Sequence, residues 1–157
     1  MNEGEYGLLF DEKYLKYKNM LFRIAIPFMK SHHECEDILQ EVFIKLLYFS
    51  PKFEDDEHEK RWLIRITVNL CKNKLKLFWN RNKVSLEELE AIEVEDNSKQ
   101  VLLEIMGLPD KYKTVIYLYY FEGYKCTEIS EILKVSESAV KMRLKRAKEL
   151  LRILMDD

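Results

Sequence analysis

Residues Lys60 to Lys83 hold eight Lys or Arg and not one Asp or Glu, in a chain whose net charge is −2. Placed at about 100° per residue, this stretch separates into two faces. Ile64, Val68, Cys71, Leu75 and Phe78 recur at helical spacing, and Leu63, Ile66, Leu70 and Leu77 widen them into a broad apolar arc. Arg61, Arg65, Asn69, Lys72 and Lys76 gather on the opposite face, with Trp62 and Trp79 near its edges. A helix with this pattern must bury one side in a core while it offers a positive stripe to a polyanion. An ordinary solvated basic face is the competing reading. The absence of acids weakens it, because exposed helices usually mix both signs.

The 157 residues allow one domain or two small ones, and 47% apolar residues with 12% aromatics argue against disorder. Net charge alone makes no case for nucleic acid, but its distribution does. Residues 1–59 carry 13 acids against 7 bases, whereas Tyr124 to Leu154 carry eight bases against four acids. Cys35, Cys71 and Cys126 are odd in number and far apart, which suits buried thiols in a reducing compartment. Glu3 and Glu5 stand where a signal peptide would be basic, and the apolar run Met20 to Met29 is too short to span a bilayer. A cytoplasmic protein is expected.

A first helix is expected from about Asp11 to Lys30, with Tyr14, Tyr17, Leu21, Ala25 and Phe28 buried and Pro27 kinking or ending it. Ser31 and Glu34 read as a capping box. The helix it starts turns Cys35, Ile38, Leu39, Val42, Leu46 and Leu47 inward and leaves Asp37, Gln40, Glu41 and Ile44 on the other face. His32, His33 and Cys35 do not read as a metal site, since adjacent helical residues diverge and no second ligand pair exists to complete four. Lys52 to Glu59 reads as a short carboxylate-rich loop ahead of the basic helix. Residues 83–98 read as a flexible acidic linker.

Beyond it, Val101 to Met106 starts a second apolar block that Gly107 ends, and Leu108-Pro109 opens a helix carrying Tyr112, Val115, Ile116 and Tyr119 that Gly123 stops. Thr127 to Leu133, the turn Lys134-Val135-Ser136 and a longer helix follow, with Val140, Leu144, Ala147, Leu151 and Leu154 inward and Ser138, Lys141, Met142, Lys145 and Arg152 outward. That is the pattern of a helix-turn-helix; a plain helical hairpin is the alternative. Lys134 is its misfit, because the turn needs a left-handed residue there and glycine adopts that conformation more cheaply.

Three segments in this order resemble the extracytoplasmic-function group of bacterial RNA polymerase sigma factors. Glu36 to Lys45 is similar to that family's polymerase-docking helix with its Asp-x-x-Gln-Glu-x-Phe core, and Trp62-Leu63-Ile64-Arg65-Ile66-Thr67-Val68-Asn69 to its Trp-Leu-x-x-Ile-Ala-x-Asn segment. Leu108-Pro109 through Glu122-Gly123, Glu128-Ile129-Ser130, Val140-Lys141 and Arg146-Ala147 is similar to its C-terminal DNA-binding region. Thr67 departs from the usual alanine, and Ser136-Glu137-Ser138-Ala139 lacks the common Gly-Thr.

The resemblance implies an all-α chain of two small helical domains, 1–82 and 99–157, joined by the linker 83–98. It implies that Asp37, Gln40, Glu41 and Ile44 contact the largest-subunit clamp helices of core RNA polymerase, whose flap is a further partner. Arg61, Trp62, Arg65, Asn69, Lys72 and Lys76 would engage the −10 promoter element as it opens, and Ser138, Lys141, Met142, Lys145 and Arg146 the −35 element. The segment 52–59 matches the family's loop that captures a flipped base, where a carboxylate could accept from a cytosine amino group; a solvated loop is the other reading. Membrane-bound anti-sigma factors are partners of many members. No catalytic residues, metal, cofactor or small-molecule substrate are expected. A helix-turn-helix regulator that works without docking to polymerase, or a sigma-like protein without promoter activity, would be the alternatives.

Overall fold

The computed structural model describes residues 3–77 and 96–156, and among them every regular element is a helix. In chain order these are α1 (Glu3–Met29), α2 (His32–Phe49), α3 (Asp56–Leu77), α4 (Asp96–Met106), α5 (Asp110–Tyr120), α6 (Cys126–Leu133) and α7 (Glu137–Asp156). Helix α1 packs on both α2 and α3, which also touch each other, so the first three helices share a core. Leu21, Ile24, Ala25 and Phe28 of α1, Ile38 and Val42 of α2, and Leu63, Ile64, Val68 and Cys71 of α3 are all buried in it. In the C-terminal half α7 is the hub, packed on α4, α5 and α6, with Val140, Leu144 and Ala147 buried along its inner stripe.

The helix ends follow local chemistry. Helix α1 starts about eight residues earlier than its periodicity predicts, and it ends two residues past Pro27, where Lys30 turns to φ +58°. Ser31 caps α2 by accepting from the Glu34 amide. Helix α3 begins inside the expected acidic loop. The Asp55 side chain accepts from the His58 amide at 2.7 Å, and Asp56, Glu57 and Glu59 occupy the first turn. Carboxylates at that end of a helix face the positive pole of its dipole, so half of the loop is a helix start. Helix α4 likewise takes in residues 96–98, expected to be linker. Leu102, Ile105 and Met106 anchor it in the core, and it is this packing more than local propensity that stabilises so short a helix. The rest of the expected linker, with Phe78, Trp79 and Lys83, lies outside the described residues.

Three side chains expected inside are more open. Tyr14 is 39% exposed, though one side of its ring meets Phe43 at 5.0 Å; Leu47 is 40% and Tyr119 36% exposed. Each lies at the margin of its helix's apolar stripe, where one flank of the side chain is covered and the other faces solvent. Cys35 and Cys71 are buried thiols and Cys126 is half-buried.

The two halves pack together through α1 and α3 on one side and α4, α5 and α6 on the other. Lys113, only 2% exposed, donates from Nζ to the Pro27 carbonyl at 2.7 Å and to Asp110 Oδ1 at 2.8 Å. The ammonium so satisfies a carbonyl left over at the C-terminal end of α1. Burial first, with Lys30 adding to it, nevertheless holds the Lys113 pKa below the usual lysine value against the opposing effect of Asp110.

Candidate nucleic-acid interface

On α2 the buried residues Cys35, Ile38, Leu39, Val42, Phe43 and Leu46 fix the helix's rotation. That rotation leaves Gln40, Glu41 and Ile44 exposed and Asp37 half-exposed on a single outward stripe. The carboxylates there are lightly held: Asp37 lies 3.8 Å from His33 Nε2, and Glu41 3.8 Å from Lys74 Nζ of α3. Sequence periodicity missed how far this face runs. Leu47, Tyr48 and Phe49 are 40%, 71% and 75% exposed and carry it into an open groove of about 590 Å³ lined by Glu3, Gly7, Phe10, Asp11, Leu47 and Tyr48. The available signal was that Tyr48 stands four residues beyond Ile44, on the same stripe.

The expected −10 residues share one side of α3 but not one environment. Asn69, Lys72 and Lys76 are exposed, and with Asn73, Leu75 and Asp110 they line a groove of about 620 Å³. Arg65 is half-buried. Trp62 is half-buried against the edge of Phe53, with ring centroids 5.6 Å apart, and Phe53 also meets His58 at 5.3 Å. The His58 Nδ1 accepts from the Glu54 amide at 3.1 Å, which closes the loop over these rings. Arg61 is fully engaged by carboxylates: Glu57 at 3.0 Å, Glu128 at 2.8 Å and Glu131 at 3.3 Å. The Lys72 pKa is lowered, first by partial desolvation and then by Arg143 of α7, so cations from both halves converge beside this groove.

Thr67, where the resembling family has alanine, is fully buried and its hydroxyl donates back to the Leu63 carbonyl at 2.8 Å. A hydroxyl satisfied within its own helix occupies the core without an unpaired polar atom, so the departure is tolerated.

Helices α6 and α7 form the helix-turn-helix. Lys134 takes the left-handed conformation, φ 54° and ψ 46°, and the Ser136 side chain caps α7 by accepting from the Ala139 amide at 3.1 Å. Ile129 and Ile132 of α6 are buried with the α7 stripe. Ser138, Lys141, Met142, Lys145 and Arg146 are all exposed, at spacings of i, i+3, i+4, i+7 and i+8 along one face. Lys141 pairs with Glu137 at 3.1 Å and Arg146 with Glu149 at 3.4 Å, contacts between exposed groups that phosphates can displace.

This geometry comprises an outward acidic stripe on α2, a basic and aromatic side of α3, and an open first face of the second helix in a helix-turn-helix. The chain matches the family Sigma-70 region 2 over residues 14–78 and Sigma-70, region 4 over residues 98–151. It is 30% identical to the ECF RNA polymerase sigma factor SigW of Bacillus subtilis (strain 168), covering 90% of this chain and 86% of the relative. The chain belongs to the extracytoplasmic-function sigma factors. A second relative, the RNA polymerase sigma factor SigV of the same organism, is 33% identical over 87% of this chain and 85% of its own length. The sigma factor RpoE of Bartonella quintana, solved in complex with the anti-sigma factor NepR, has the same fold, with a TM-score of 0.74 at 20% identity over 94% of this chain and 96% of that one. As a sigma factor the protein binds core RNA polymerase and directs promoter-specific initiation, and members of the family are not enzymes. Among the described residues no helix is long and apolar enough to cross a membrane, and no His, Cys, Asp or Glu cluster is arranged to hold a metal ion.

Proposed function

We propose a division of the sigma-factor task among three helix faces. Asp37, Gln40, Glu41 and Ile44 of α2 dock on the clamp helices of the polymerase largest subunit, where carboxylates meet basic side chains and Ile44 adds an apolar contact. Arg61, Trp62, Arg65, Asn69, Lys72 and Lys76 engage the −10 element as it opens, cations tracking the backbone and Trp62 offering a stacking surface. Ser138, Lys141, Met142, Lys145 and Arg146 enter the major groove of the −35 element. Residues 1–82 then form the docking and opening domain and 99–157 the upstream-element domain, with 83–98 between them. The protein works in the cytoplasm, and an anti-sigma factor is a natural partner, as one is for RpoE of Bartonella quintana.

The observation that carries this reading is register. The α2 and α7 residues named above lie on solvent-facing stripes while the apolar residues interleaved with them are buried. A regulator that never met polymerase would have no use for the α2 stripe. Run-off transcription with purified core enzyme and promoters mapped from overexpressing cells tests it. Initiation at those promoters only when the protein is added is the expected result, and no promoter-dependent initiation overturns it.

A further inference from the structure

Helix α5 ends on two tyrosines that the fold leaves outside. Val115, Ile116, Tyr117 and Leu118 are buried, whereas Tyr119 and Tyr120 are 36% and 57% exposed, their rings edge to face with centres 5.1 Å apart. Lys148 is exposed on α7, which packs on α5, and it sets its Nζ 5.2 Å from the Tyr119 ring centre and 5.7 Å from the Tyr120 ring centre. Attraction to the two rings restrains a side chain that would otherwise sample many rotamers. Among the described residues neither tyrosine hydroxyl has a hydrogen-bond partner, and Lys148 meets no carboxylate, although Lys141 and Arg146 of the same helix each do. Glu149, next in sequence, is turned to Arg146 instead. Aromatic surface carrying unmatched donors on three side chains suits an anion better than an apolar partner.

We propose that Tyr119, Tyr120 and Lys148 form a ledge that grips a backbone phosphate of duplex DNA beside the upstream element. Helix α7 then reads the major groove while the ledge fixes its register on the bordering strand. The proposal rests on reading α7 as the upstream-element helix. Position favours it. Lys141, Lys145 and Lys148 stand at i, i+4 and i+7, on one flank of α7 within about 60° of one another. Ser138, where the recognition face starts, lies about 15 Å before Lys148 along the axis at 1.5 Å per residue. The major groove is about 12 Å wide, so a helix whose first turns lie between the strands meets a phosphate strand at about that distance. Lys148 supplies charge, and the two hydroxyls donate to phosphate oxygens, contacts that position the protein without carrying sequence information. Such a contact adds affinity on any sequence and is salt-dependent, because counterions leave as it forms. A slope of about 0.9 per phosphate makes one contact worth about eightfold in affinity at about 0.1 M salt relative to 1 M.

The test uses the full chain assembled with core polymerase, on duplexes carrying the upstream element of promoters mapped from overexpressing cells. Fluorescence anisotropy over a salt series gives affinity and slope. A second set of duplexes replaces single phosphates flanking the element with neutral methylphosphonates. Lys148→Gln should bind about eightfold more weakly at about 0.1 M salt, converge with the parent toward 1 M and lower the slope by about 0.9. Lys148→Arg should keep the slope. Tyr119→Phe with Tyr120→Phe keeps both rings and should lose affinity with the slope unchanged. One methylphosphonate should weaken the parent and leave Lys148→Gln unaffected, which locates the gripped phosphate. Parent-like binding by Lys148→Gln, where Lys141→Ala has lost affinity, overturns the ledge and leaves the reading of α7 standing. Unchanged binding by both variants overturns that reading and the ledge with it. A weakening of Lys148→Gln that is matched in core binding without DNA assigns the ledge to polymerase and overturns the DNA contact. If no single methylphosphonate separates the parent from Lys148→Gln, the lysine grips no particular phosphate and the proposal also falls.

Discussion

Replacing Glu59 with alanine should destabilise the protein by about 2–3 kcal/mol, although this residue stands in the most acidic stretch of the sequence. Glu59 is 5% exposed, and its Oε1 accepts from the Tyr17 hydroxyl at 3.0 Å while Oε2 pairs with Lys13. A hydrogen bond to a charged group contributes about 1.5–3 kcal/mol, and losing it here strands a hydroxyl on a residue that is itself 4% exposed. The Lys13 side chain is 29% exposed, so its pair adds no more than about 1 kcal/mol. The two losses overlap because they share one carboxylate. At about 2–4 °C per kcal/mol for a chain of this size, the melting temperature should fall by about 5–10 °C by circular dichroism or calorimetry. Adding Tyr17→Phe to the alanine variant should recover about 1 kcal/mol by removing the orphaned hydroxyl. Glu59→Gln, which keeps an acceptor, should fall between. An alanine variant that melts with the parent would refute the reasoning and return Glu59 to the solvated loop that the sequence suggests.

Glu41→Lys should weaken core polymerase binding at least tenfold, about 1.4 kcal/mol, while its lost Lys74 pair costs under about 1 kcal/mol of stability; equal affinity in a quantitative pull-down counts against the docking face. Lys141→Ala should weaken upstream-element binding and lower its salt slope by about one unit without touching core binding, and an unchanged footprint would mean that the recognition helix is misassigned. Lys134→Gly should raise stability by about 1 kcal/mol, since Lys134 holds φ +54°, and a melting temperature that does not rise would show that its side chain contributes more than the strain costs. Alkaline stability should also fall. Burial first, then neighbouring Glu59 for Tyr17 and Glu57 for Tyr124, push these two tyrosines and the buried Tyr117 above the usual tyrosine range. A raised folded pKa gives stability that is complete below the unfolded value and lost as pH rises from about 10 upward. Lys113, lowered by burial, runs the other way, its burial cost easing as pH rises toward 10.5. With three tyrosines against one lysine, urea midpoints should drop above about pH 10, and Tyr117→Phe should flatten that drop.

Most of the fold was legible because helical periodicity depends only on spacing along one element. Cys35, Ile38, Leu39, Val42 and Leu46 buried on α2, and the α6–turn–α7 unit down to Ser136 as cap and a left-handed Lys134, follow from local rules that the chain obeys. What local rules could not supply was partner identity. Tyr14, Leu47 and Tyr119 satisfy the helical pattern, yet the neighbouring helices cover only one flank of each. Conversely Lys113 looks like a solvent-facing base three residues after Asp110. Only the tertiary arrangement brings the Pro27 carbonyl, 86 residues away in sequence, within 2.7 Å of it.

The acids between positions 54 and 59 show the same limit at the candidate site itself. Read as composition, they form one negative segment beside the helix proposed to engage the −10 element, awkward for a phosphate backbone. In the structure they separate into different roles. The Asp55 side chain caps α3; Glu59 is buried against α1; Glu57 braces Arg61, the residue that Glu128 and Glu131 reach from the other half. Each role cancels a charge locally, with a helix dipole, a lysine or an arginine, so the segment presents less negative field to DNA than its sequence implies. The acid-free face beginning at Lys60 needs the complementary correction. Its first two cations are already matched by carboxylates of α6 and the preceding turn, and its remaining cations, Arg65, Lys72 and Lys76, lie further along the helix around Asn69. A sequence can show that charge is sorted, but whether a basic stripe faces a ligand or its own acids depends on which helices the fold sets against each other.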